Sequence, residues 1–164
     1  MIHKIAHSLA AFCLMPLCGV SAADVKVTYT FADKHVETIA CPLVEEGAVR
    51  RFRLKASAVP AGVEQIEVLP DFATARTGED GYFVMPNGYL GTFRQTDGQQ
   101  ILRGNPMPIF GMKTPRHTFV AIVSGMPHAY TLVARAKAGV YRLFPRFVLD
   151  GHGVYDDLAI DYHM

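Results

Sequence analysis

Alternation of apolar and polar residues with a period of two runs through most of this chain. The segment 24–31 alternates at every position, and 49–55 places Phe52 and Leu54 opposite three basic residues. Such alternation is typical of β-strands that bury one face. The same pattern predicts further strands at 64–69, 81–86, 89–94, 109–112, 118–124, 130–137, 140–149 and 158–162.

Turn residues separate these strands, and no window of a dozen residues keeps a helical period. Asn87-Gly88 predicts a tight hairpin turn, and Asp97-Gly98 gives a second hairpin signal. Many short strands joined by Gly- and Pro-containing turns favour a sandwich or an open barrel. We therefore expect an all-β fold, built as an antiparallel β-sandwich.

Residues 1–23 have the composition of a secretory signal peptide. Lys4 supplies a positive charge near the start, the run 9–17 (LAAFCLMPL) is apolar, and small residues end the segment. The apolar run is shorter than the roughly 20 residues that span a bilayer. We expect cleavage after Ala22 or Ala23, which would leave 24–164 as one β-sandwich domain, exported to the periplasm or the medium.

Removal of the leader changes both the charge balance and the cysteine count. Of 16 basic and 15 acidic side chains only Lys4 is lost, so the remaining domain is close to neutral. A neutral domain lacks the positive surface that binds nucleic acid or an anionic membrane, and we expect neither as a partner. Cys41 is the one cysteine outside the leader, which excludes an internal disulfide and a cysteine-based metal site. No metal and no cofactor is expected.

Candidate chemistry is weak for catalysis and stronger for binding. Many acidic residues adjoin glycine in turns, where turn geometry explains them, so no catalytic residue is assigned. Four residues around the predicted hairpin turn are candidate ligand contacts: Tyr82, Asn87, Tyr89 and Arg94. Exposed tyrosines near Asn and Arg suit sugar binding, and the alternative for the tyrosines is packing in the core.

A basic stripe lies on one face of the predicted strand 49–55. Its members are Arg51, Arg53 and Lys55. We expect a solvated sheet face, with Glu64 or Glu67 on a neighbouring strand as ion-pair partners. The alternative is a surface that grips an acidic ligand.

Several stretches resemble a known enzyme family. They are 66–72 (IEVLPDF), 78–86 (GEDGYFVMP), 107–112 (MPIFGM), 119–125 (FVAIVSG), 141–147 (YRLFPRF) and 157–163 (DLAIDYH). Together they look like the N-terminal region of glycoside hydrolases related to families 101 and 129, the α-N-acetylgalactosaminidase-like enzymes. The match runs from about residue 64 onward, and the motifs are strand cores and turns rather than site residues.

The resemblance implies a β-supersandwich that precedes a catalytic (β/α)₈ barrel. A barrel needs about 200 further residues, so no catalytic residue carries over to this chain, which we expect to be inactive alone. Three interpretations remain open. The first is a non-catalytic accessory module or truncated fragment of a secreted glycoside hydrolase that supports or binds carbohydrate. The second is one part of a split glycosidase completed by a separately encoded barrel. The third is a secreted structural or interaction protein without sugar affinity.

Two predicted strands, 119–123 and 140–149, carry apolar residues on both alternating faces. A strand with one face exposed to solvent usually carries polar residues on that face. Either the second face is covered within the chain, or it awaits a partner. We expect a partner, and hence an exposed apolar patch.

Overall fold

The computed structural model describes residues 24–86, 89–94, 98–102, 107–126, 129–149, 151 and 153–164. These residues form an all-β fold of two antiparallel sheets. No α-helix occurs in the described ranges, and a single 3₁₀ turn spans Ala56–Ala58. The predicted signal peptide and its cleavage site, Ala22 and Ala23, lie outside the described residues.

Sheet A has the strand order β2-β1-β5-β13-β12-β9, with β6 paired to β13. Its strands are β1 (Asp24–Phe31), β2 (Val36–Pro42), β5 (Val63–Pro70), β6 (Thr74–Arg76), β9 (Gly98–Leu102), β12 (Tyr130–Lys137) and β13 (Val140–Val148).

Sheet B has the strand order β3-β4-β14-β11-β10-β7-β8. Its strands are β3 (Val44–Glu46), β4 (Val49–Leu54), β7 (Tyr82–Met85), β8 (Tyr89–Gly91), β10 (Ile109–Lys113), β11 (Thr118–Ser124) and β14 (Leu158–His163).

The inner faces of the two sheets share one hydrophobic core, the arrangement of a β-sandwich. Sheet A contributes residues such as Val27 and Ile66, and sheet B contributes Phe52, Phe119 and Tyr162, all fully or almost fully buried. The rings of Phe119 and Tyr162 pack edge to face, 6.0 Å apart. Each of these side chains lies at a position of its strand that faces the other sheet, so the alternating sequence pattern determines which residues form the core.

Most of the predicted strands are present with bounds within a residue or two. The second hairpin prediction was wrong, because the strands on either side of Asp97-Gly98 lie in different sheets. Strand β8 pairs with β7 in sheet B, whereas β9 pairs with β12 in sheet A. The chain crosses between sheets there, and Phe93 in the crossing segment is fully buried.

Candidate functional site

The outer face of sheet B carries a continuous apolar surface. Six of its side chains are between 39% and 57% exposed: Tyr82, Val84, Met107, Ile109, Val120 and Ile122. Strands β7, β10 and β11 are adjacent in the sheet, and their register pairs Ile109 with Ile122. We call these six residues the apolar face. Its β11 part is the exposed patch that the sequence predicts.

A groove crosses the apolar face where one position lacks a side chain. Gly111 pairs with Val84 on β7 and with Val120 on β11, so it lies between two outward-facing valines. A Cβ atom at Gly111 would come within 2.8 Å of the Phe119 carbonyl oxygen. The groove above it has a volume of about 290 Å³ and is open to solvent.

The walls of this groove are mostly aliphatic. Lys113 and Thr118 stand at one end, where the register places Lys113 beside Tyr82. The arrangement offers dispersion contacts and a single cation. Among its described lining residues there are no paired carboxylates and no nucleophile with a base.

The four predicted ligand contacts do not form one described surface. Tyr82 is on the outer face of β7, whereas the register pairs Tyr89 with Met85, whose side chain is buried. Arg94 is exposed and lies beyond the end of β8, and Asn87 lies outside the described residues. A role in ligand contact stays a prediction for all four.

The other half of the outer face of sheet B is charged. Asp161 of β14 accepts an ion pair from Arg53 at 2.6 Å and lies 3.8 Å from Arg51, which also pairs with Glu46 of β3. Lys55 pairs with Asp157 at 2.6 Å. The basic stripe is therefore neutralised, but the prediction of Glu64 or Glu67 as its partners was wrong, because both acids belong to sheet A.

Glu67 is the centre of a buried ion cluster on the outer face of sheet A. Its carboxylate accepts hydrogen bonds from Arg146 Nε at 3.0 Å and Nη2 at 2.7 Å, and from Arg135 Nη2 at 2.9 Å. The Glu67 side chain is only 8% exposed and that of Arg146 13%. Arg135 also stacks over the Phe144 ring, 4.8 Å from its centroid.

Strand β13 is covered on both faces within the chain. Phe147 belongs to the inner core, and Phe144 on the outer face is equally buried although it lies outside the main core cluster. Val133, opposite Phe144 in register, is buried in the same way. An exposed apolar face on 140–149 was therefore wrong for most of the strand, since Val140 alone among its large apolar residues is markedly exposed.

Two classes of feature are absent from the part of the chain that the structure describes. It contains no group of three or more His, Cys, Asp or Glu side chains placed to bind a metal ion. It also contains no helix with the length and apolar character needed to cross a bilayer.

Comparison of the chain with protein-family models, with curated proteins and with solved structures found no match.

Sequence reasoning missed the Glu67 cluster. Its partners are 68 and 79 residues away along the chain, so only the strand order brings them together. A signal was nonetheless present, because Glu67 interrupts the apolar run of β5 with an acid, and β12 and β13 each carry arginines among apolar residues. Charges inside apolar strands indicate mutual pairing.

Proposed function

We propose that this chain is a non-catalytic accessory domain of an exported glycoside hydrolase, a β-supersandwich that docks its apolar face on the catalytic barrel. The observation that carries the proposal is the contiguous apolar face of sheet B. Two features of the sequence support the rest. The leader pattern of 1–23 favours export, and the motifs between residues 64 and 164 resemble the N-terminal region of such enzymes.

The size of the apolar face favours a tethered domain over a second copy of the chain. Each of the six side chains is about half exposed and so leaves about half of its apolar area in contact with water. Together they leave roughly 300 Å² of apolar surface exposed. With a polar rim, the interface would bury about 500 Å² on this side. Stable complexes between separate proteins need about 800 Å² per partner. Interfaces between domains of one chain are smaller, about 300–750 Å² per side.

The shape of the groove suits a convex apolar side chain. The floor at Gly111 lets a protruding residue reach the backbone between the Val84 and Val120 walls. A (β/α)₈ barrel is surrounded by helices, whose surface side chains form ridges of this kind. The proposed occupant is therefore an apolar ridge on one outer helix of the barrel.

The test is a fusion in which the full chain precedes the catalytic barrel of an α-N-acetylgalactosaminidase-like enzyme, expressed without its own sandwich. Docking is measured as a rise in the thermal unfolding midpoint of the barrel. Val120→Lys is expected to abolish this rise in the fusion, because the charge would be buried against an apolar ridge. Val44→Lys is the matched control, since Val44 is 55% exposed on β3, away from the apolar face. The free chain should also bind a hydrophobic dye in its native state or self-associate. The proposal is contradicted if the chain is strictly monomeric by light scattering, binds no dye and does not dock on the barrel.

We expect the purified chain to have no glycosidase activity. The carboxylate of the most buried cluster, Glu67, is engaged by arginine, as is that of Glu79 beside the turn at 79–81, whereas Asp80, Asp156 and Asp157 are exposed. The assay uses aryl α-N-acetylgalactosaminides and a panel of other aryl glycosides. Turnover that survives repurification and is lost on changing one Asp or Glu would overturn the non-catalytic assignment.

A second candidate function is glycan binding, which the position of Tyr82 favours. Its ring is 39% exposed at the wall of the groove, beside Lys113, where it can stack on the C–H face of a sugar. Binding on a glycan array that is lost in Tyr82→Ala would support this function. Tyr155→Ala is the matched control, because Tyr155 is 57% exposed outside the groove. Equal signals from both variants would exclude a role for Tyr82.

A further inference from the structure

Four basic residues stand together on the outer face of sheet A, away from the apolar face of sheet B. Lys137 of β12 pairs in register with Val140 of β13, which pairs with Arg76 of β6. In the next outward-facing row, about 7 Å along the strands, Arg135 lies directly opposite Arg142. We call these four cations the basic quartet.

The members of the basic quartet differ in whether a described acid compensates their charge. Glu67 takes up Arg135 together with Arg146, so one carboxylate serves two guanidinium groups. Neither Lys137 nor Arg142 forms an ion pair or hydrogen bond through its side chain within the described part of the chain. Glu79 interacts with the charge of Arg76, although its carboxylate is hydrogen-bonded to the backbone N–H of Arg76 and to the guanidinium of Arg116.

Like charges directly opposite each other on antiparallel strands are unfavourable. Here Arg135 and Arg142 are such a pair, in a domain whose total charge is close to zero. Glu67 compensates Arg135, so the charges open to an added anion are those of Arg142 and Lys137. Arginine is also the side chain best suited to bind an oxyanion, because its planar group donates two parallel hydrogen bonds.

We propose that the basic quartet binds an acidic glycan through its sulfate or carboxylate groups. Arg76 and Lys137 are two strand spacings apart, about 10 Å, so a chain with repeated charges can meet both where one small anion cannot. Val140, 37% exposed between them, offers an apolar contact for a sugar ring. A nucleic acid is disfavoured, because the described residues of the quartet's surface expose no aromatic ring for base stacking and Phe144 is buried.

The experiment measures binding of the full chain to four probes by calorimetry at low ionic strength and at physiological salt. The probes are a heparin tetrasaccharide, a galacturonate tetrasaccharide, inorganic sulfate and a single-stranded DNA oligonucleotide. At least one tetrasaccharide should bind, more weakly at physiological salt, where charges are screened over about 8 Å. A preference for heparin would identify sulfate as the recognised group, and a preference for galacturonate would identify carboxylate.

Two variants assign the binding to the quartet. Arg142→Gln and Lys137→Gln should each weaken tetrasaccharide binding roughly tenfold, the effect of one charge-assisted contact. Lys137 is exposed, so its variant reports on binding even if Arg142→Gln perturbs the sheet. The control is Lys26→Gln, which removes the same charge from another exposed position of sheet A. The proposal is overturned by no tetrasaccharide binding at low salt, by equal loss in the control, or by sulfate or DNA binding as tightly as the sugars.

Discussion

Substitution of Glu67 by glutamine is the sharpest perturbation of this fold. Glutamine keeps the shape of the side chain but removes the charge that two guanidinium groups share. Arg146, whose side chain is 13% exposed, would then lose the carboxylate that binds two of its nitrogens. Leaving one member of a buried ion pair uncompensated is far more costly than removing the whole pair.

The expected loss of unfolding free energy is about 3 kcal/mol. Breaking a buried ion pair from one side costs about 3–5 kcal/mol. The lower end applies here because the side chain of Arg135 is 31% exposed, so water can solvate that partner after the substitution. For a domain of this size, such a loss lowers the midpoint of thermal unfolding by about 10 °C.

Urea unfolding is the appropriate measurement, followed by circular dichroism and by tyrosine fluorescence, because the chain has seven tyrosines and no tryptophan. Glu46→Gln is the matched control. Glu46 also pairs with an arginine, Arg51, but its side chain is 52% exposed, and exposed pairs contribute under about 1 kcal/mol. In a double-mutant cycle, the variant that combines Glu67→Gln with Arg146→Met should recover part of the lost stability, because it also removes the cation that Glu67 binds.

Equal stabilities of Glu67→Gln and Glu46→Gln would refute this reasoning. So would strict additivity in the cycle, which would mean that the carboxylate and the Arg146 guanidinium contribute independently. Both outcomes would show that water reaches the cluster freely, and that its burial does not control its energetics.

Three further predictions test other parts of the fold. Gly125→Ala should lower the free energy of unfolding in urea by about 2 kcal/mol more than Gly78→Ala does. Both glycines have φ near 80°, but only at Gly125 would a Cβ atom collide with a backbone carbonyl, that of Asp157. Equal losses would contradict the close approach of Gly125 to this carbonyl. Hydrogen bonds from backbone and arginine lower the pKa of Glu79, so Glu79→Gln should destabilise by about 1 kcal/mol at neutral pH. That loss should vanish as the pH falls through the depressed pKa of Glu79 in the folded protein, because the carboxyl group is then protonated in both the folded and the unfolded chain. A loss of stability that does not depend on pH would exclude the charge of Glu79 as its source. Phe119→Ala should lower the free energy of unfolding by about 3–5 kcal/mol, measured by thermal melting, and Val120→Thr by less than about 0.5 kcal/mol, because Phe119 faces the core and Val120 faces solvent. Similar losses for the two variants would contradict this alternation along β11.

The parts of the fold that follow from local pattern could be predicted from the sequence. Strands β1, β11 and β12 have the predicted bounds, and one face of each packs in the core. The alternation of apolar and polar residues is strict in β1, whereas β11 and β12 carry apolar residues on both faces. The apolar excess on 119–123 likewise predicted an exposed patch, and Val120 and Ile122 are exposed.

Other parts depend on contacts that no local pattern encodes. Strand β2 is an edge strand whose side chains are nearly all exposed, so it shows no alternation to detect. Strands β3 and β6 have three residues each, too few for a period to appear. The groove at Gly111, the pairing of Arg53 with Asp161 and the Glu67 cluster all require the strand order, because their members come from distant segments.

The position of β14 in sheet B has a consequence for the timing of folding. Strands β4 and β11 do not touch; each bonds to one side of β14, so residues 158–163 join two otherwise separate pieces of sheet. Until those residues emerge, both pieces present unpaired strand edges, which are prone to wrong pairing. Long-range strand pairing of this kind is also slow. Sheet A needs no residue beyond Val148, whereas sheet B cannot complete its strand pairing until synthesis has passed His163, so the two layers of the sandwich become available for folding at different times.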